Sequence, residues 1–320
     1  MNSKKTLIVS HAPFWHDGSG IPERSYHTII AALPAAAVGI AYYGVPALGV
    51  ICMAMSTAIL WELLFNYASR RPVTVGNGNA ALMGLLLAMV LPASTPWWVV
   101  VIGTFLAIVI GMQIFGGIGA NPFNPVALAT AILMVSYTAH MDFNSGLVNF
   151  MLGFPSPKDP LAALKAFGPD AVAHLNYMDL FMGRQVGALG STCGLAIVLG
   201  GLYLILRGII RWEISVSFVV GIYITALLFN MADPARFASP AFHLLTGYTL
   251  IGAFFLATES SSSPVNFIPM LIYGALGGVM TVLIRNIGAY VDGVIFAILI
   301  INLINPLIDK IRPKAIGKVA

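Results

Sequence analysis

Long apolar runs separated by short polar punctuation recur along almost the whole chain. A helix needs about 20 apolar residues to cross the hydrocarbon core of a bilayer, so the pattern reads as a series of membrane-spanning helices. The runs predict helices over 28–43, 45–66, 80–91, 97–117 and 122–140. After a polar stretch, 141–186, they resume over 187–206, 213–230, 240–257, 268–287 and 291–308. The run at 80–91 is too short to cross alone, which predicts a half-helix or a broken one. The expected fold is an all-α integral membrane protein of about ten transmembrane helices. Its expected parts are an N-terminal segment (1–27), a first helical half (28–140), an outer loop (141–186), a second helical half (187–308) and a tail (309–320).

Composition supports the same class. The chain is 58% hydrophobic and 9% charged, with a mean hydropathy of +0.89. Soluble domains carry about 25% charged residues, so this chain needs a bilayer as solvent. The net charge of +4 would suggest nucleic acid in a soluble protein. Here the basic residues mark topology instead, and no nucleic-acid partner is expected. Lys4, Lys5, Arg24, Arg70, Arg71, Arg207, Arg211, Lys310, Arg312, Lys314 and Lys318 fall on one side of the ten-helix arrangement. Lys158, Lys165, Arg184, Arg236 and Arg285 fall on the other, three of them in the long 141–186 loop. Both termini are therefore expected in the cytoplasm. The first 27 residues carry no apolar run followed by a small-residue cleavage site, so no signal peptide is expected. Cys52 and Cys193 match no metal or disulfide spacing and read as helix-packing residues.

Several features occur twice. Gly44 followed by Leu63-Leu64-Phe65 matches Gly208 followed by Leu227-Leu228-Phe229. Gly84 and Pro96 match Gly252 and Pro264, and Ile118-Gly119-Ala120 matches Ile287-Gly288-Ala289. Five helices per half would place the second half upside down relative to the first. That is the inverted-repeat plan of many transporters, with sites at the repeat interface around short or broken helices.

Candidate chemistry clusters at the breaks. The run FGGIGANPFNP, Phe115 to Pro125, cannot be continuous helix and must lie within protein or line a cavity. Gly117 allows close approach there, and Asn121 and Asn124 offer amides either to a flat heterocycle or to a capping turn. The run Gly76 to Ala80 reads as a cap for the short helix or as a ligand edge, and capping is favoured. In the matching inner loop, Glu259 precedes four serines and suits a polar ligand, an ion or plain solvent. Glu62 is an acid in an apolar helix, either an ion-coupling group or a partner of Arg70 or Arg71. His243 and Asp292 stand near helix ends and read as structural. Gly187 to Thr192 opens the sixth predicted helix, where Thr192 would cap it or help bind a phosphate. No Ser/His/Asp triad, Walker loop or zincin spacing is present, so a hydrolase is not expected.

Long strings then resemble a known family. HLLTGYTLIGAFFLATESSSSP, LIYGALGGVMTVLIRNIGAYVDGVIFAILIINLINPLID, FGGIGANPFNP, NGNAALMGLLLAMVLP and IRWEISVSF resemble the D subunits of Rnf ion-translocating electron-transport complexes, within the NqrB/RnfD family. The B subunit of the sodium-pumping quinone reductase is the nearest alternative, and it usually has a longer N-terminal region. The resemblance implies a subunit of the cell inner membrane that works with other Rnf-type subunits, with a cytochrome or flavoprotein as a further partner. Such complexes pass electrons between ferredoxin and NAD, coupled to Na+ or H+ movement. It also implies flavin: FMN held through a phosphoester to a threonine in an outer S/T-x-A-T-P-L pattern, and a second, non-covalent flavin nearer the cytoplasm. Gly117, Asn121, Asn124 and Glu259 are the residues expected beside that inner flavin, with Glu62 in ion coupling.

The chain departs from the family at the attachment point. Pro160-Leu161 aligns with the family's P-L, so the threonine position falls on Asp159. A carboxylate offers no hydroxyl for a stable phosphoester and repels phosphate. Neither Ser156 nor Thr192 restores the pattern. Either the chain holds a flavin, FMN or riboflavin, non-covalently, or its complex routes electrons through another carrier such as a cytochrome. The alternatives from other classes are a cofactor-free scaffold subunit of such a complex and a stand-alone channel or secondary transporter.

Overall fold

The computed structural model describes residues 20–144 and 159–311, and every regular element among them is helical. Lipid cannot satisfy backbone polar groups, so apolar segments of this length bond within themselves as helices. Four are long and apolar enough to cross a membrane: α1 (Ile21–Tyr43), α2 (Val45–Ala68), α9 (Trp212–Ala232) and α12 (Phe267–Asn286). Shorter apolar helices lie between them: α3 (Asn79–Val90), α4 (Trp97–Phe105, with a π-helical continuation to Gln113), α5 (Pro125–Ser136), α8 (Gly194–Leu206) and α13 (Val294–Ile308). Two short helices, α6 (Pro160–Phe167) and α7 (Tyr177–Met182), belong to the polar segment. A broken helix completes the set: α10 (Pro240–Leu245), a kink at 246–248, then α11 (Thr249–Ile251) with a π-helical continuation to Leu256. The protein is a multi-pass membrane protein.

Close packing rests on small residues, the means by which helices without a hydrophobic driving force approach each other in lipid. A Cβ at Gly84 of α3 would lie 2.5 Å from the Ala54 carbonyl of α2. Gly221, Gly274 and Gly278 bring α9 and α12 equally close. Gly200 of α8 sits on the Ala31 carbonyl of α1, which joins the first helix to the one that follows the polar segment. At the centre, α3 buries every residue except Ala81, whereas Leu60, Leu64 and Tyr67 of α2 face outward as lipid-facing residues do.

Several boundaries differ from the sequence pattern. The first helix starts at Ile21 rather than 28, because Pro22 in the first turn and Glu23 start a helix well in polar residues. The fifth is trimmed to 125–136, because Asn124 caps it and the Gly/Pro run before it is irregular. The sixth begins at Gly194, not 187. Residues 187–193 instead run in irregular backbone into the end of α3, where the Leu189 and Gly190 amides donate to the Leu91 and Met89 carbonyls. The short α3 thus has its orphaned carbonyls satisfied by a buried loop from the other part of the chain. The Tyr248 hydroxyl, at the kink of the broken helix, donates to the Val90 carbonyl from the other side.

Candidate functional site

The breaks in the helices collect the polar residues into two regions, one at each face. On the face assigned to the cytoplasm by the charge rule, the 114–124 turn meets the 257–264 loop. Asn121 is buried, and its amide donates to the Phe123 carbonyl at 3.0 Å and to Glu259 Oε2 at 3.3 Å. Glu259 also accepts the Ser261 and Ser262 amides. These two predicted residues, far apart in sequence, are in contact. Asn124 is committed elsewhere: its carbonyl oxygen accepts the Ala127 amide as the cap of α5, and its amide donates to the Leu256 carbonyl. Gly117 adopts φ 102° close to the buried Gln113, a conformation that favours glycine. In the GNGNA run, Asn77 accepts the Asn79 amide and Gly78 turns left-handed before α3, so the run caps the helix. Asn79 itself reaches Met112 and lines the same region.

Asn121, Glu259, Asn79, Arg24 and Ser261 border an inner cavity of about 140 Å³ between α1, α3, α8 and the π-helical turn after α11. Ligand sites for cofactor-sized molecules run to about 300–1,000 Å³, so this one is too small for a flavin as it stands. Glu62 lies beyond it, fully buried in α2. Its Oε1 accepts from the Thr74 hydroxyl at 2.6 Å, and Thr74 is held by Asn66; Oε2 has no partner. Neither Arg70 nor Arg71 pairs with it: Arg71 reaches the Gly116 carbonyl instead.

The opposite face has the larger space, about 610 Å³. Its walls are apolar and aromatic, with Met134, Met141, Phe143, Tyr248 and Tyr290 among them, and its polar groups include Asp142, Asp159, Ser191 and Asp292. Asp159 is the N-cap of α6, accepting the Leu161 amide at 3.2 Å, and is 6% exposed. Behind the cavity, Arg285 forms a buried ion pair with Asp292 at 2.9 Å and donates to the His243 and Thr246 carbonyls. Asp292 also accepts the Tyr248 and Val294 amides. The ring nitrogens of His243 have no partner. Thr192 does not cap α8, a place taken by Cys193. Its carbonyl accepts from Gln185 and its hydroxyl is buried without a partner. Ser156 lies outside the described residues.

Sequence reasoning missed Arg285, read as a loop cation, and Gln185 and Asn302, whose amides clamp distant segments: Gln185 joins Leu180, Thr192 and Leu245, while Asn302 joins Ser262 and Tyr273. The one signal for each was a polar side chain in or beside an apolar run.

The fit to flavin divides. The outer cavity has the volume and the aromatic walls for a three-ring heterocycle. Its attachment position does not fit a phosphoester: Asp159 lacks a hydroxyl, two further carboxylates line the space, and Arg285 is already committed.

A family model described as "NQR2, RnfD, RnfE family" matches residues 8–317. The D subunit of the Na(+)-translocating ferredoxin:NAD(+) oxidoreductase complex of Acetobacterium woodii is 34% identical over 312 residues, 97% of this chain and 95% of that one. The D subunit of the proton-translocating ferredoxin:NAD(+) oxidoreductase complex of Clostridium ljungdahlii is 34% identical over 313 residues, 96% and 95% of the two chains. The D subunit of the ion-translocating oxidoreductase complex of Cronobacter sakazakii is 33% identical over 345 residues, 97% and 98%.

Proposed function

Since the chain belongs to the NQR2, RnfD, RnfE family, we propose that it is the D-type membrane subunit of an ion-translocating complex that couples electron transfer between ferredoxin and NAD, or another acceptor, to Na+ or H+ movement. Relatives matched over nearly their whole length carry that name. Other Rnf-type subunits are its partners, and its place is the cell inner membrane with both termini cytoplasmic. The two helical halves form inverted five-helix repeats, 28–140 and 187–308, with the outer loop 141–186 between them and the segments 1–27 and 309–320 at the ends. Matched positions favour this plan: Gly44 and Gly208, each at a helix–helix joint, have φ 71° and 69°.

Within that complex the chain holds a flavin non-covalently. The observation that carries this is the outer cavity of about 610 Å³, walled by Phe143, Tyr248 and Tyr290, with a carboxylate where the family's phosphoester would form. A bound flavin supplies one- and two-electron redox chemistry. The residues of this chain would stack against its rings, exclude water and fix its orientation. The Arg285–Asp292 pair holds the kink at 246–248 and the start of α13 around the cavity. Asn121 and Glu259 border a smaller inner cavity that would need to widen before admitting a second flavin. Glu62, buried with one free oxygen, is the residue proposed for ion coupling.

The test is deletion and replacement of this chain in its native complex. Ferredoxin:NAD oxidoreductase activity and ion uptake into vesicles both fall to background without it and return with it. Glu62→Gln retains assembly but loses at least tenfold in ion uptake per electron. A complex that keeps both activities without this chain would refute the proposal.

A further inference from the structure

The outer cavity contains a carboxyl group whose position makes it more than a helix cap. We propose that Asp159 is an exchangeable proton site, loading and releasing a proton through the outer cavity at physiological pH.

Asp159 precedes α6, in the outer segment and outside the membrane-spanning helices. It is 6% exposed and borders the roughly 610 Å³ cavity, so it is largely cut off from bulk solvent while standing at the cavity wall. An ionised aspartate in such a place needs a cation. Among the described residues no lysine or arginine forms an ion pair with it, and the charge of Arg285 is the least of the effects acting on it. Arg285 of α12 directs Nε and Nη2 to Asp292 and Nη1 to the His243 carbonyl, and Nη2 also reaches the Thr246 carbonyl and the Thr249 hydroxyl. Lys165, on α6 itself, donates to the Arg285, Gly288 and Tyr290 carbonyls at the end of α12. The other titratable neighbours are anionic or neutral. Asp142 and Asp292 share the cavity, Tyr43 of α1 donates to the Gly187 carbonyl, Tyr248 donates to the Val90 carbonyl, and Tyr290 lines the wall. His243 of α10 stands behind Arg285. Lys158 precedes Asp159 outside the described residues.

Two amides, from Leu161 and Ala162, and the charge of Arg285 favour the anion. Burial outweighs them, and the nearby Asp292 charge adds to it, so the Asp159 carboxyl is raised to about 7. Release breaks the carboxyl O–H bond, leaving carboxylate, and hands the proton to water in the cavity. Uptake is the reverse. No oxidant or further reactant is needed. The threonine of the family pattern has no group that titrates near neutrality, so this is a property of this chain's own residue. The site stands whether or not a flavin occupies the cavity.

Infrared difference spectroscopy on the intact purified complex tests it as pH is stepped across neutrality. The C=O stretch of a protonated carboxyl should disappear with a midpoint of about 7. The band should shift when aspartate is supplied carbon-13 labelled, which needs no variant. It should vanish in Asp159→Asn, where asparagine keeps the helix cap, and persist in Asp142→Asn. Asp159→Ser, a second capping replacement, guards against a folding failure. A wild-type complex with no carboxyl titrating near neutrality, or a band that survives Asp159→Asn, would overturn the proposal. Either outcome is independent of whether flavin or ferredoxin:NAD activity is found.

Discussion

Arg285 and Asp292 illustrate how much a single buried pair holds in this protein. Five hydrogen bonds from the guanidinium tie the last turn of α12 to the kink in the broken helix and to the start of α13. Removing one member of a buried pair leaves the other charge uncompensated, at a cost of about 3–5 kcal/mol. Arg285→Met should therefore lower the thermal unfolding midpoint of the detergent-solubilised protein steeply. The double replacement Arg285→Met with Asp292→Asn should recover part of the loss. Asp159 gives a pH signature. Its folded value, about 7, lies above the ordinary 3.8, so the folded state binds the proton more tightly. Its contribution is full below the ordinary value and is lost as pH rises through about 7. Melting curves should show stability declining from mildly acid to mildly alkaline pH, with a flatter profile in Asp159→Asn. Asn121 and Glu259 were legible in the sequence because polar side chains beside glycines and prolines in an apolar chain have few uses. Arg285 was not, since an arginine at the end of an apolar run looks like a loop residue until the Asp292 partner is seen folded back on it.

Among the elements, the pair α9 and α12 depends on backbone contact. A Cβ at Gly278 would fall 2.6 Å from the Ile222 amide nitrogen and inside contact distance of the Phe218 carbonyl. Gly278→Val should destabilise by about 1–3 kcal/mol or more, because backbone rather than a flexible side chain must give way. Chemical unfolding in detergent measures it, with the exposed Leu276→Val as the neutral control. Helix existence was readable from apolar runs, as was the shortness of α3. Boundaries were not. Residues 187–193 read as the start of a helix because they are small and uncharged, but the free carbonyls at the end of α3 recruit their amides. That competition is between distant segments and leaves no local trace. The eighth predicted helix hid its kink for a related reason: Gly247, at φ 65°, is one glycine among many in the apolar runs.

For the molecule as a whole, class followed from charge scarcity and family from long matching strings, while cavity size was invisible. Nothing in the residue pattern announced that the outer space exceeds the inner one severalfold. Orientation can be checked directly. In a chain with Cys52 and Cys193 replaced by alanine, Asp170→Cys should react with a membrane-impermeant maleimide on intact cells, and Ser69→Cys only after lysis. The reverse pattern would invert the topology. Flavin content of the native complex is the decisive quantity. The denatured complex is run on a gel under ultraviolet light, and the flavin released by acid is assayed from complexes with and without this chain. A flavin held non-covalently here gives no fluorescence on the 34.0 kDa band and a released flavin content that drops when the chain is missing. Fluorescence that stays with that band, or a flavin content indifferent to the chain, would contradict it.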